Sequence, residues 1–148
     1  MTHEYFLQIA IEESAVAVIC GSSPFGALIV RDGTVIAKAH NTVSQTNDPT
    51  AHAEINCIRL ASENLRTHDL SGCILYTSCE PCPMCLNAIK WANITDVYFA
   101  ATRDDADKIG FRDKVFYENN DLNLHHIDMP SAVDVMRGWD ESPDKKRY

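Results

Sequence analysis

The chain has 148 residues, 45% hydrophobic and 23% charged, enough for one domain with its own core and no disulfide staples. Thirteen basic against twenty-one acidic residues leave a formal charge of −8, so a nucleic-acid backbone would be repelled on average. The longest uninterrupted apolar run, Ala15 to Cys20, has six residues; no membrane span is expected, and the start Met1-Thr2-His3-Glu4 does not read as a signal peptide. A soluble, cytoplasmic domain is predicted.

In chain order, residues 2–19 predict an amphipathic helix with Phe6, Ile9, Ala10 and Ala17 toward the core. Phe25 to Val30 and Thr34 to His40 are β-rich runs, and Asp32-Gly33 between them predicts an antiparallel hairpin. A polar loop from Asn41 to Pro49 leads to a helix over about Ala51 to Leu65, its core face Ile55, Ile58, Ala61 and Leu65. Cys73 to Thr77 predicts a strand, Pro83 to Ala92 a helix and Asp96 to Ala101 a strand. A crossover of that length makes the two strands parallel. A helix-compatible stretch near Asp104 to Glu118 separates this strand from a weak fifth one, Leu122 to Ile127. A last helix starts near Ser131, and Pro143 to Tyr148 reads as polar and irregular. The expected fold is a three-layer α/β/α sandwich around a mixed five-stranded sheet, in one domain over residues 1–148.

Six cysteines could form three disulfides, but the chain is large for a disulfide scaffold and lacks a secretory signal. Cys20, Cys57 and Cys73 lie in apolar stretches and are expected to be core filler. Two other segments carry chemistry: Thr50-Ala51-His52-Ala53-Glu54 at one helix start and Cys79-Glu80-Pro81-Cys82-Pro83-Met84-Cys85 at the next. Zinc favours thiolate and imidazole ligands, and a catalytic zinc keeps three of them so that water can hold the fourth position. Cys82 and Cys85, three apart at a helix start, can turn both sulfurs to one ion, and the helix end favours their thiolates.

A lone helix-start histidine is usually a surface or capping residue, and a lone C-x-x-C can be a redox pair. Together they make H-x-E…P-C-x-x-C, the signature of zinc deaminases. One helix, one loop and one strand between His52 and Cys82 return the chain to the same sheet edge. His52, Cys82 and Cys85 are therefore the expected ligands of one zinc per chain. Glu54, two residues from His52, can take a proton from the water, deliver it to a ring nitrogen and protonate the departing amine. Hydrolytic deamination of a heterocycle is the predicted reaction.

With these motifs the chain resembles the cytidine deaminase superfamily and, within it, the bacterial guanine deaminases. The resemblance runs through Pro24-Phe25-Gly26-Ala27, Asn47 to Glu54, Tyr76 to Cys85, Gly110-Phe111-Arg112-Asp113 and the closing Lys145-Lys146-Arg147-Tyr148. It implies that Phe25 stacks on the purine, that Asn41 and the backbone at Ala53 bind the base, and that Asp113 contacts the substrate and helps relay protons. It also implies that Tyr148 closes the pocket, with residues 143–148 exchanged between the subunits of a homodimer. Guanine is the expected substrate. Competing readings are a deaminase of cytosine, guanosine or ammeline, a tRNA adenosine deaminase, and a silent structural zinc domain. The −8 charge opposes the tRNA enzyme, for which Lys145-Lys146-Arg147 is a small basic patch. An intact Glu54 with only three ligands opposes the structural zinc domain.

Overall fold

In the computed structural model, which describes residues 1–119 and 122–148, helix α1 (His3–Ile19) starts from Thr2, whose hydroxyl accepts the Tyr5 N–H at 3.1 Å. Strands β1 (Gly26–Arg31) and β2 (Thr34–His40) form the expected hairpin, with Asp32 and Gly33 both at positive φ. The short α2 (Val43–Thr46) follows, then α3 (Ala53–Leu65), β3 (Cys73–Cys79), α4 (Pro83–Trp91) and β4 (Asp96–Ala101). The sheet order is β2-β1-β3-β4, antiparallel except for the parallel β3/β4 pair.

Alternation along the strands builds two cores. Ala27, Ile29 and Leu75 face the side covered by α3 and α4, while Leu28, Val30 and Tyr76 face Phe6 and Ala10 of α1. Leu28, Ile29 and Leu75 are fully buried, and each such side chain stabilises the fold by roughly 1.5–3 kcal/mol. Gly26 permits the close approach of α1, because a Cβ there would lie 2.4 Å from the Ala10 carbonyl oxygen.

Several expectations need correction. The buried line of α3 is Ala53, Glu54, Cys57 and Ala61, with Ile58 and Leu65 only packed beside it. Small residues let the helix lie close on the sheet, and the larger ones fill its flanks. Cys57 and Cys73 are buried as expected, but Cys20 is exposed at the α1 C-cap; all six cysteines are free thiols. The helix-compatible stretch after β4 divides into α5 (Arg103–Lys108) and α6 (Asp113–Glu118) at a turn through Gly110, whose φ is positive.

The fifth strand is not formed. Leu122, Leu124 and Ile127 lie 74–79% exposed, and four strands are present among the described residues. Alternation alone does not make a strand; a sheet edge must pair with it. After it, α7 (Pro130–Asp140) opens on a proline at its first position, buries no residue, and is followed by an irregular tail. No helix among the described residues is long and apolar enough to cross a membrane.

Candidate active site

Two helix starts meet at one end of the sheet. His52 is the N-cap residue of α3 and Cys82 that of α4, both in extended conformation, and neither side chain caps its own helix. Their donor atoms are thereby free for another partner, and the positive helix ends favour negative charge between them. Cys82 Sγ and Cys85 Sγ each lie 3.5 Å from His52 Nδ1. A tetrahedral zinc with Zn–S near 2.3 Å and Zn–N near 2.0–2.1 Å separates N from S by about 3.6 Å. The three donors stand at the spacing that ion needs, all within 4.8 Å of one another.

Electrostatics agree with the geometry. A hydrogen bond from Cys85, with His52 adding to it, holds the Cys82 thiol well below its usual range, whereas that same contact and burial drive Cys85 up. The Cys82 sulfur raises His52. Two thiols and an imidazole competing for protons at this distance are the donor set a divalent cation relieves, since it lets both sulfurs be thiolates.

Glu54 stands one residue inside α3, 6% exposed. Burial pushes its pKa up to about 6, against a hydrogen bond from Cys85 that pulls it down. A carboxyl poised there can both accept and return a proton near neutral pH. Above it opens a cleft of about 370 Å³, lined by Phe25, Asn41, His52, Glu54, Cys79, Glu80, Cys82, Phe111 and Asp113.

Phe25 and Phe111 meet edge to face, centroids 4.9 Å apart, and form an apolar corner for a flat ring. Asn41 is 4% exposed; its N–H donates to Phe25 O at 3.1 Å and its Oδ1 accepts the Val43 N–H at 3.0 Å. The amide orientation is thus fixed by the backbone, and its NH2 is left as the donor for a ligand. Asp113 opens α6 on the cleft wall, its pKa raised by burial and then by the nearby Cys82. Ala53, the first residue of α3, is buried between His52 and Glu54, where a helix N–H has no intrahelical acceptor.

Tyr148 is not brought to this cleft. It is 81% exposed, its ring 5.5 Å from Trp91 and 6.2 Å from His68. That places it at the far end of the nine-residue α4, about 13 Å of helix from Cys82. Phe111, Glu80 and Cys79 line the cleft although the sequence reading gave them no role in the site. Phe111 had a signal, its place two residues before Asp113; Glu80 and Cys79 had only their neighbourhood to Cys82.

A histidine and two cysteines at converging helix starts, with a buried carboxyl beside them and a cleft above, define a zinc-dependent aminohydrolase centre. The chain belongs to the cytidine and deoxycytidylate deaminase family, whose zinc-binding region matches residues 1–101. It is similar to guanine deaminase of Bacillus subtilis strain 168, 42% identical over 156 aligned positions and over 100% of both chains. The X-ray structure of guanine deaminase from Bacillus subtilis gives a TM-score of 0.95, covering 100% of this chain and 99% of that one. The tRNA-specific adenosine deaminase of Aquifex aeolicus strain VF5 is 46% identical over 101 residues, 68% of this chain and 67% of that protein. A solved guanine deaminase from Nitrosomonas europaea gives a TM-score of 0.72 at 34% identity, over 74% of this chain and 64% of that one.

Proposed function

We propose that the chain hydrolyses guanine at C2 to xanthine and ammonia. The observation carrying this reading is that Phe25, Asn41 and Asp113, from three separate segments, line one cleft beside the metal donors. Full-length similarity to a guanine deaminase supports it, whereas the Aquifex aeolicus tRNA enzyme matches over two-thirds of the chain.

Zinc, when held by His52, Cys82 and Cys85, supplies a Lewis acid that brings the pKa of a water molecule near neutrality. Phe25 and Phe111 clasp the purine, the Asn41 amide donates to an acceptor on the base, and Asp113 accepts from an N–H donor. Glu54 takes the proton from the attacking water and gives it to the ring nitrogen beside C2. The water oxygen bonds C2; Glu54 then takes the remaining proton of that C2 hydroxyl and passes it to the amine as the C2–N bond breaks, so that guanine and water become xanthine and ammonia.

The active unit is a homodimer in which residues 143–148 of one copy, ending in Tyr148, close the cleft of the other. The uncovered apolar side chains of α7 and the distance of Tyr148 from its own cleft support this. The protein works in the reducing cytoplasm, as its six free thiols suit. RNA is a poor substrate: beyond the −8 charge, Lys145 and Arg147 are both engaged by Asp140, at 3.1 and 2.8 Å.

Ammonia release over guanine, guanosine, cytosine, cytidine, adenine, ammeline and an RNA stem-loop tests the reading. Guanine should dominate. Efficient turnover of cytosine, a nucleoside or RNA with guanine inert would overturn the substrate while leaving the reaction class standing.

A further inference from the structure

The cleft wall is held by an ion pair that the zinc motif does not use. Arg103, the first residue of α5, reaches Glu80 three ways: Nε to Oε2 at 2.7 Å, Nη2 to Oε2 at 2.5 Å, and its backbone N–H to Oε1 at 3.2 Å. The same guanidinium lies over the Tyr117 ring, Cζ 3.7 Å from the centroid, and the Tyr117 hydroxyl donates to the Pro81 carbonyl. Glu80 and Pro81 immediately precede Cys82, and Tyr117 lies one turn beyond Asp113 on α6. Arg103 and Tyr117 together tie the metal loop to the helix that bears Asp113.

That tie matters because α6 cannot place itself. It has six residues, no side-chain cap and no buried side chain, far below the length at which a helix persists alone. Its other polar anchor is the exposed Lys114–Asp104 pair at 2.9 Å, and such pairs are weak. Glu80 is the better-buried partner, its side chain 16% exposed against 39% for Arg103, and it lines the cleft. Only a planar guanidinium can grip a carboxylate with a fork and stack on a phenol ring at once; an ammonium keeps the charge and loses both.

We propose that Arg103 is a positioning residue for the reaction, bracing Glu80 of the metal loop against Tyr117 of α6 so that Asp113 is held at a fixed place over the cleft. This rests on the reading of Asp113 as a substrate contact. The test measures kcat and KM for guanine, zinc content and amide hydrogen exchange over residues 113–119. It uses the zinc-loaded full chain, Arg103→Ala, Arg103→Lys, Tyr117→Phe, Asp113→Asn and the Arg103→Ala/Asp113→Asn double variant.

Arg103→Ala should keep one zinc per chain, speed exchange in α6 and lower kcat/KM about tenfold, since small misplacements of a positioned group are costly. Arg103→Lys should recover only part of that. In the Asp113→Asn background, Arg103→Ala should cost less than about twofold, because the two act through one contact. An unchanged kcat/KM in Arg103→Ala, or the same tenfold loss in both backgrounds, would overturn the brace. If Asp113→Asn by itself does nothing, the reading of Asp113 fails and the brace with it. If Asp113→Asn is impaired while Arg103→Ala is not, the brace alone fails. Should Arg103→Ala not fold, Arg103→Lys, which keeps the charge but neither the fork nor the ring stack, decides the matter: faster α6 exchange with reduced kcat/KM at full zinc content supports the proposal, and no change in either refutes it.

Discussion

The body up to Glu118 and the arm from Leu122 to Tyr148 treat apolar side chains in opposite ways. In the body, Leu28, Ile29, Leu75 and Ile89 are 2% exposed or less; in the arm, Val133, Val135, Met136 and Trp139 are 45–75% exposed. Local signals suffice for α7, which has Pro130 at its first position, Arg137 in its last turn, and Lys145 and Arg147 folded back on Asp140. Those signals do not supply anything to bury its face. An eleven-residue helix is marginal in water without packing, so the arm reads as an element made for another surface. The difference teaches that, on the proposed reading, chemistry and closure are built separately: four residues at two helix starts form the reaction centre, and Tyr148 lies away from the cleft of its own chain.

The comparison can be sharpened most strongly in the body. Glu54→Gln, nearly isosteric, should keep zinc and melting temperature while turnover falls by roughly 10²–10⁴-fold, the usual scale of acid–base catalysis. Retention of more than about a tenth of the rate would remove Glu54 from the proton path. Next comes Gly26→Ala, whose new Cβ would meet the Ala10 carbonyl oxygen at 2.4 Å and Ser14 N at 2.5 Å. Neither neighbour is a flexible side chain, so overpacking should destabilise the chain by about 1–3 kcal/mol in urea unfolding. No shift in the midpoint would mean that α1 is not held against β1 as described.

The arm should answer differently. Deleting residues 143–148 should leave zinc content and unfolding nearly untouched while activity drops about tenfold or more, because only closure of the site is lost. A large fall in stability instead would show that the contacts of Tyr148 with Trp91 and His68 hold its own body together and that the tail is structural.

The smallest effect belongs to Glu13, on the inner face of α1, which accepts from His40 Nδ1 at 2.7 Å and pairs with Lys38 at 3.2 Å. Burial alone would raise its pKa, but those two partners more than offset this and hold it below the ordinary value. A depressed folded-state pKa contributes stability that is present above the unfolded-state pKa and lost as pH falls through the folded one. The stability difference between the unaltered chain and Glu13→Gln should therefore be about 1 kcal/mol at neutral pH, persist to near pH 4, and vanish below that. A difference independent of pH would show that the carboxylate's charge is not what matters.

How much was legible in the sequence follows the same division. The zinc donors and Glu54 could be read because each sits within two residues of a helix start, where spacing along the chain already dictates spacing in the site. The hairpin was legible from Asp32-Gly33 for the same local reason. Leu122 to Ile127 has the alternation of a strand, but a strand is defined by the edge it joins, and it is not among the four strands of the described sheet. The inner line of α3 was misread toward Ile55 because size was taken for burial, whereas close packing on the sheet selects Ala53, Cys57 and Ala61. Arg103 and Glu80 look like solvated charges in sequence; 23 residues apart, they are joined only by the crossover that sets β4 beside β3.

The central claim is that the catalytic body and the arm that closes it belong to different copies of the chain. Mixing a chain lacking residues 143–148 with a full-length Glu54→Gln chain, under conditions where subunits exchange, tests it directly. Each parent alone should keep about a tenth of the activity or less. In a heterodimer the intact Glu54 of one copy would be closed by the Tyr148 of the other, so an equal mixture should regain about one quarter of the unaltered enzyme's activity per chain, one working site in half of the dimers. No recovery, with heterodimers demonstrably formed, would contradict the account.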